Sequence, residues 1–189
     1  ASSVGAKTVE ETREVLARYR DRGYWVHSVK VGGDVDQNIE RIQDVETHRP
    51  AKERILYDAN RGFTRQQALR VMQATEQWKV MFEQPCETLD DIAAIRPLHS
   101  APVSVDECLV TLQDATRVAR DGIAEVFGIK LNRVGGLTKA SRIRDIALAH
   151  GIDIFVMATG GSVLADTEAL HLAATIPDDN MLGVWACQD

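Results

Sequence analysis

Four short apolar runs each end in a charged side chain, and these charged residues recur at a nearly constant interval. The runs end at Asp58, Glu83, Asp106 and Lys130, which lie 25, 23 and 24 residues apart. A compact strand–helix unit occupies about 30 residues or slightly fewer. The interval therefore predicts parallel strands whose charged ends meet at one rim of a (β/α)8 barrel. Three carboxylates at one rim need a cation to remain ionised together.

Strand-like and helix-like segments alternate along the whole chain. Helix starts are indicated by Thr8, Thr64 and Thr88. Each threonine lies three residues before a side chain that can hydrogen-bond back to its backbone amide. The predicted strands are 25–31, 55–58, 81–83, 103–106, 127–131, 152–157 and 182–185. The predicted helices cover 8–22, 40–47, 64–78, 89–95, 112–121, 138–150 and 163–174.

The segment before the first helix is expected to be the tail of one more strand. We therefore interpret residues 1–189 as a single N-terminally truncated barrel domain, with strand one clipped. A complete barrel needs about 200 to 250 residues. An open doubly wound sheet is the alternative. The barrel is favoured because candidate catalytic residues end almost every strand instead of gathering at one switch point.

Composition excludes some classes of partner. The net charge of −6 and the pI of about 5.4 argue against binding to nucleic acid. No apolar stretch reaches the length of about 18 residues that a membrane span requires. Cys86, Cys108 and Cys187 form no CxxC pair, and we expect them to be reduced thiols in a cytoplasmic protein.

The three strand-end acids are candidate metal ligands. Oxygen-only ligands favour a hard cation, and Mg²⁺ is the first choice for Asp58, Glu83 and Asp106. Adjacent strand residues point to opposite faces, so only one of Asp106 and Glu107 faces inward. Simpler interpretations stay open: Asp58 caps the following turn, or Asp106 and Glu107 form a surface pair.

Two lysines at strand ends are candidate acid/base groups. Lys30 and Lys130 each end a mainly apolar run and precede another apolar residue. On strands two and six, they would face the rim from opposite sides and could remove a proton from one side of a carbon and return it on the other. A solvated lysine at a strand end is the plain alternative for each.

Four motifs together resemble the barrel signature of the enolase superfamily, and most closely the muconate lactonizing enzyme subgroup. They are Tyr57-Asp-Ala-Asn60, Phe82-Glu-Gln-Pro85, Ser104-Val-Asp-Glu107 and the segment 128–136. The resemblance implies that Asp58, Glu83 and Asp106 bind Mg²⁺ and that Lys30 and Lys130 form the acid/base pair. Substrate contacts are expected from Ser28, Asn60, Thr159, Gly160 and Trp185.

The chain also departs from the pattern. The subgroup often carries Lys-x-Lys on strand two, whereas this chain has Ser28 before Lys30. Strand seven has no histidine, which disfavours the mandelate racemase branch. Members also carry an N-terminal capping domain, which we expect to be absent from this chain.

The resemblance implies metal-assisted removal of the proton α to a carboxylate of a small molecule. The segments Glu83-Gln-Pro-Cys86 and Ile95-Arg-Pro-Leu98 look similar to members that act on proline derivatives, so we expect a dehydratase or epimerase of a compound such as cis-3-hydroxy-L-proline. Muconate-type cycloisomerase and dipeptide epimerase are alternatives, and a non-catalytic barrel subunit is an alternative of another class. A homo-oligomer is expected.

Overall fold

The computed structural model describes residues 2–158 and 162–185, over which strands and helices alternate. The strands are β1 Ser2–Val4, β2 Val26–Lys30, β3 Arg54–Asp58, β4 Met81–Glu83, β5 Val103–Val105, β6 Val126–Lys130, β7 Asp153–Met157 and β8 Met181–Trp185. The α-helices are α1 Val9–Asp21, α2 Val35–His48, α3 Arg65–Ala74, α4 Leu89–Ile95, α5 Leu112–Asp121, α6 Leu131–Val134, α7 Leu137–Ala149 and α8 Val163–Ala173. Short 3₁₀ turns cover Glu76–Trp78, Arg96–Leu98 and Asp178–Asn180.

The chain divides into two compact units, Ala1–Val103 and Ser104–Asp189. In the first unit, β1, β2, β3 and β4 are parallel neighbours in chain order. In the second unit, β5, β6, β7 and β8 follow the same rule. Parallel strands need crossover connections, which the intervening helices provide.

The register places the strand-end residues in rows. In the first unit Lys30 pairs with Asp58, and Asp58 pairs with Glu83. In the second unit Lys130 pairs with Met157, and Met157 pairs with Trp185. The last residues of successive strands therefore lie side by side, as the regular spacing predicted.

A buried polar cluster connects the first residues of β1 with the first residues of β2. Arg20 donates two hydrogen bonds to the Glu53 carboxylate, at 2.8 and 3.0 Å. His27 lies between Glu53 and Ser2, with its Nε2 3.0 Å from Glu53 Oε1 and its Nδ1 2.6 Å from Ser2 Oγ. Burial lowers the pKa of His27, although Glu53 opposes this shift. The cluster lies away from the strand ends that carry Lys30 and Asp58.

Local capping explains where the helices begin. The capping boxes predicted at Thr8 and Thr64 are present, and Thr111 forms a further one with Asp114. Thr88 accepts a hydrogen bond from the Asp91 amide at the start of α4. Each such cap contributes about 1 kcal/mol to helix stability.

Several predicted boundaries were wrong. Helix α2 begins at Val35 instead of residue 40, because Asp34 caps it by accepting a hydrogen bond from the Gln37 amide, and β5 ends at Val105 instead of residue 106.

The helix predicted to reach residue 78 ends at Ala74, because Thr75 turns its hydroxyl back to the Val71 carbonyl at 2.9 Å and the chain tightens into a 3₁₀ turn. The strand predicted to reach Leu131 ends at Lys130, and Leu131 begins α6.

The segment before α1 forms the strand β1, which pairs with β2 from Ser2 to Val4. Within the described ranges, the helices fall short of the length and apolarity that crossing a membrane would take.

Candidate active site

The first unit places a lysine and two acids in one row. Lys30, Asp58 and Glu83 end β2, β3 and β4 in register. Both carboxylates are buried, with 2% of Asp58 and 1% of Glu83 exposed. The Lys30 ammonium donates a hydrogen bond to Asp58 Oδ2, and because it is the nearest cation it neutralises this buried acid. Lys30 itself remains one-third exposed and can therefore reach a solute.

A tight turn after β3 holds Asp58 from its other side. The Asn60 amide donates to Asp58 Oδ1 at 2.9 Å. Asn60 and Arg61 have φ angles of 43° and 67°, in the left-handed region. A side chain at Gly62 would place Cβ 2.8 Å from the Ala59 carbonyl oxygen, so this position requires glycine. The turn leaves the Asn60 side chain exposed and fixes the orientation of the Asp58 carboxylate.

A cleft of 350 Å³ adjoins Lys30 in the first unit. Its walls come from the segment after β1 and from the start of α2. Lys7, Lys30 and Arg41 are its cationic lining residues, and Asp34 is the acidic one. A small anionic molecule could therefore reach the Lys30 side chain through this cleft.

In the second unit, Asp106 receives two cations. Lys130 Nζ donates to Asp106 Oδ2 at 2.6 Å, and Arg133 Nη1 donates to Oδ1. Asp106 is fully buried. Burial raises the pKa of Asp106 above its ordinary value, whereas Lys130 and Arg133 act in the opposite direction. Because both oxygens accept charge-assisted hydrogen bonds, the second unit holds Asp106 rigidly.

Gly128 makes room for this acid. A Cβ at this position would lie 3.1 Å from the Val105 carbonyl oxygen, 3.4 Å from Asp106 Cβ and 2.6 Å from Met157 Cε. The methionine tip can move aside, but the backbone oxygen cannot. The absence of a side chain at Gly128 therefore lets Asp106 lie close against β6, the strand that ends in Lys130.

The remaining predicted substrate contacts have mixed positions. Ser28 lies two residues before Lys30 on the same face of β2 and is buried. Its hydroxyl has no hydrogen-bond partner among the described residues. Trp185 ends β8 in register with Met157 and is half-buried. Thr159 and Gly160 lie outside the described residues.

The donor chemistry fits a hard cation. Asp58, Glu83 and Asp106 offer only carboxylate oxygens, and all three are buried. Two of them, Asp58 and Asp106, form salt bridges with Lys30 and Lys130. Neither unit, over its described residues, gathers three or more His, Cys, Asp or Glu side chains into a metal-binding group. The expected three-ligand site therefore stays a prediction.

Arg133 is a charged neighbour to which the sequence assigned no role. It reaches Asp106 because the chain turns into α6 directly after Lys130, which places residues three apart on the same side. Gly135 and Gly136 end this turn with φ angles of 88° and 99°. The Gly-Gly pair was the signal that could have shown a turn here instead of a longer strand.

The family model described as Enolase C-terminal domain-like matches residues 11–189. The chain belongs to this family. The predicted membership in the enolase superfamily is thereby confirmed. The (β/α)8 barrel, the fold class predicted from the strand spacing, is confirmed over the open doubly wound sheet.

Known relatives agree with this assignment. A curated relative from Roseibium aggregatum, named cis-3-hydroxy-L-proline dehydratase, is 32% identical over 174 residues, covering 90% of this chain and 47% of its own length. A solved structure from Silicibacter pomeroyi, described as a candidate mandelate racemase/muconate lactonizing enzyme, is 78% identical with a TM-score of 0.97. The match covers 100% of this chain and 52% of that chain.

A further solved structure bears on the metal. A member of the enolase superfamily from Roseovarius nubinhibens, described as complexed with magnesium, is 38% identical with a TM-score of 0.94. The match covers 97% of this chain and 50% of that chain. The chain thus spans about half the length of the relatives that it matches.

Proposed function

We propose that the protein that contains this chain removes the proton α to the carboxylate of a small molecule, with Mg²⁺ as cofactor. One observation carries the proposal: each lysine that ends a strand, Lys30 and Lys130, lies against a buried aspartate at the end of the neighbouring strand. Paired amines and acids at strand ends are the parts that α-proton chemistry needs. The alternative that the barrel is a non-catalytic subunit does not explain why these costly groups are buried.

The metal part of the proposal rests on the acids. Asp58, Glu83 and Asp106 would hold the ion, because their buried oxygens are hard ligands. Mg²⁺, when bound, would stabilise the negative charge that the substrate carboxylate acquires as its α-proton leaves. Such an ion would also replace the neutralising charge that Lys30 gives to Asp58 and Lys130 to Asp106 in this structure.

The lysines would move the proton. One lysine in its neutral form accepts the α-proton, and the other acts from the opposite face of the same carbon. If the second lysine returns a proton, the product is an epimer. If a hydroxyl on the neighbouring carbon leaves with a proton, the products are water and an unsaturated acid. Ser28, Asn60, Thr159, Gly160 and Trp185 are proposed to contact the rest of the substrate.

We propose dehydration of cis-3-hydroxy-L-proline as the specific reaction. The support is the relative of that name, together with the segments Glu83-Gln-Pro-Cys86 and Ile95-Arg-Pro-Leu98. Epimerisation of a related proline derivative is the outcome to distinguish from it. We further propose that residues 1–189 act as one barrel domain in a self-associating cytoplasmic protein.

The reaction can be tested by proton NMR in D₂O. With Mg²⁺ and cis-3-hydroxy-L-proline, dehydration removes the signal of the α-proton and shifts the signal of the proton on the hydroxyl-bearing carbon, because that carbon loses its oxygen. Epimerisation instead replaces the α-proton with deuterium and leaves the hydroxyl-bearing carbon intact. Chelation of Mg²⁺ should stop either reaction. Binding of the substrate with no change at the α-carbon, with Mg²⁺ present, would favour the non-catalytic subunit.

A further inference from the structure

Arg41, a buried residue of α2, forms a hydrogen bond with the end of β2 at Lys30. Arg41 Nη2 donates to the Lys30 carbonyl oxygen at 3.1 Å. Its Nε donates to Thr12 Oγ1 of α1 at 3.2 Å, and its Nη1 donates to Asn38 Oδ1 at 3.3 Å. One guanidinium therefore joins the end of β2 to two helices of the first unit.

Asn38 extends these contacts to the loop after β2. Its side-chain amide donates to the Gly32 carbonyl at 2.9 Å and to the Asp34 carbonyl at 2.7 Å. Gly32 and Gly33 have φ angles of 135° and 73°, which glycine adopts without the strain that a side chain would add. The bracket formed by Arg41 and Asn38 thus holds the chain on both sides of Val31.

Burying the arginine of this bracket carries a desolvation cost. Only 6% of Arg41 is exposed, and among the described residues no carboxylate accepts a hydrogen bond from it. Burial lowers the pKa of Arg41, with Glu11 and Tyr57 opposing the shift electrostatically. A buried cation with neutral partners loses its hydration without an ion pair in return. An apolar side chain of similar volume would pack at lower cost, so stability alone does not account for an arginine here.

We infer that Arg41 is a positioning residue that fixes the backbone of Lys30 so that its ammonium stays in reach of Asp58 and of the substrate. Lys30 is the last residue of β2, and its carbonyl oxygen accepts a hydrogen bond from Arg41. Loss of the bond frees the strand end, and a misplacement of about 1 Å costs about 100-fold in rate. This inference rests on the role proposed above for Lys30.

The test compares Arg41→Met, which keeps the apolar stem, with Arg41→Lys, which keeps the charge but loses the forked donor. Exchange of the substrate α-proton for deuterium is measured separately on each face, with cis-3-hydroxy-L-proline and its α-epimer as probes. Both variants should slow exchange about 10- to 100-fold on the face that depends on Lys30, with the other face unchanged.

Arg20→Met is the matched control, because it removes another arginine of the same unit from a buried cluster at the opposite strand ends. It should lower the melting temperature without favouring either face. Equal loss on both faces in the Arg41 variants, or no loss on either, would overturn the inference. Failure of both variants to fold would show that Arg41 is needed for folding and would also overturn it.

A second measurement separates this inference from the proposed function. Backbone amide exchange of residues 26–33, followed by mass spectrometry, should become faster in both Arg41 variants and not in Arg20→Met. If Lys30→Ala shows no effect confined to one face, the role proposed for Lys30 is wrong, whereas the amide exchange still decides whether Arg41 fixes this strand end. Unchanged amide exchange in the Arg41 variants would overturn the inference on its own.

Discussion

Lys30→Ala is expected to abolish α-proton exchange on one face of the substrate, and Lys130→Ala on the other. Removal of a general base lowers the rate of proton transfer about 10²- to 10⁴-fold. Each lysine ends its own strand beside a different aspartate, so each variant should leave the other lysine in place. The measurement is deuterium incorporation at the α-carbon, started from each α-epimer in the presence of Mg²⁺.

The control for these variants is Lys139→Ala, which removes an exposed lysine of α7 and should leave exchange on both faces unchanged. Circular dichroism and the melting temperature show whether each variant is folded. A uniform loss on both faces from either single variant would contradict the assignment of one base to each face. Equal exchange in both lysine variants would refute the two-base account altogether.

The second large effect is expected at Asp106. Asp106→Asn keeps the size of the side chain and removes the charge that a metal ion needs from this ligand. Changes to groups that merely support a metal ligand cost about 10- to 100-fold in affinity, so loss of a direct ligand should cost at least about 100-fold. Titration calorimetry with Mg²⁺ measures this affinity directly.

Asp121→Asn is the matched control, because it makes the same change at an exposed aspartate that ends α5 in the second unit. This variant should bind Mg²⁺ with the affinity of the parent protein. Glu107→Gln tests the neighbouring acid, because Asp106 and Glu107 both lie in the turn after β5. Asp106→Asn also leaves Lys130 and Arg133 without their buried acid, which lowers stability by about 3–5 kcal/mol. Titrations must therefore be made below the unfolding temperature of this variant. A larger loss of affinity in Glu107→Gln than in Asp106→Asn would reverse the assignment of the inward-facing acid.

The strand ends were predictable because their spacing reflects geometry. A constant interval of about one strand–helix unit leaves little freedom in where successive charged residues lie. The observed register of Lys30, Asp58 and Glu83 follows directly from that regularity. The capping boxes at Thr8 and Thr64 were predictable for a similar reason, since both partners lie within one turn of the chain.

The contacts that hold these groups in place were not predicted from the sequence. Leu131 continues the apolar pattern of β6, and apolar character alone does not distinguish one more strand residue from the first residue of a helix. Because the strand was predicted to continue through Leu131, the contact between Arg133 and Asp106 was not predicted. That contact depends on the helical turn that begins at Leu131. The role of Arg41 was not predicted because two of its partners, the Thr12 hydroxyl and the Lys30 carbonyl, lie 29 and 11 residues away in sequence.

The central claim is that Asp58, Glu83 and Asp106 share one ion, and a crystal structure of the protein with bound Mg²⁺ tests it most directly. The account predicts one ion with an oxygen of each of these carboxylates at about 2.0–2.1 Å, and with the Lys30 and Lys130 ammonium groups displaced from full contact with their aspartates. An ion bound without Asp58 or without Asp106, with both lysine–aspartate pairs intact, would contradict it.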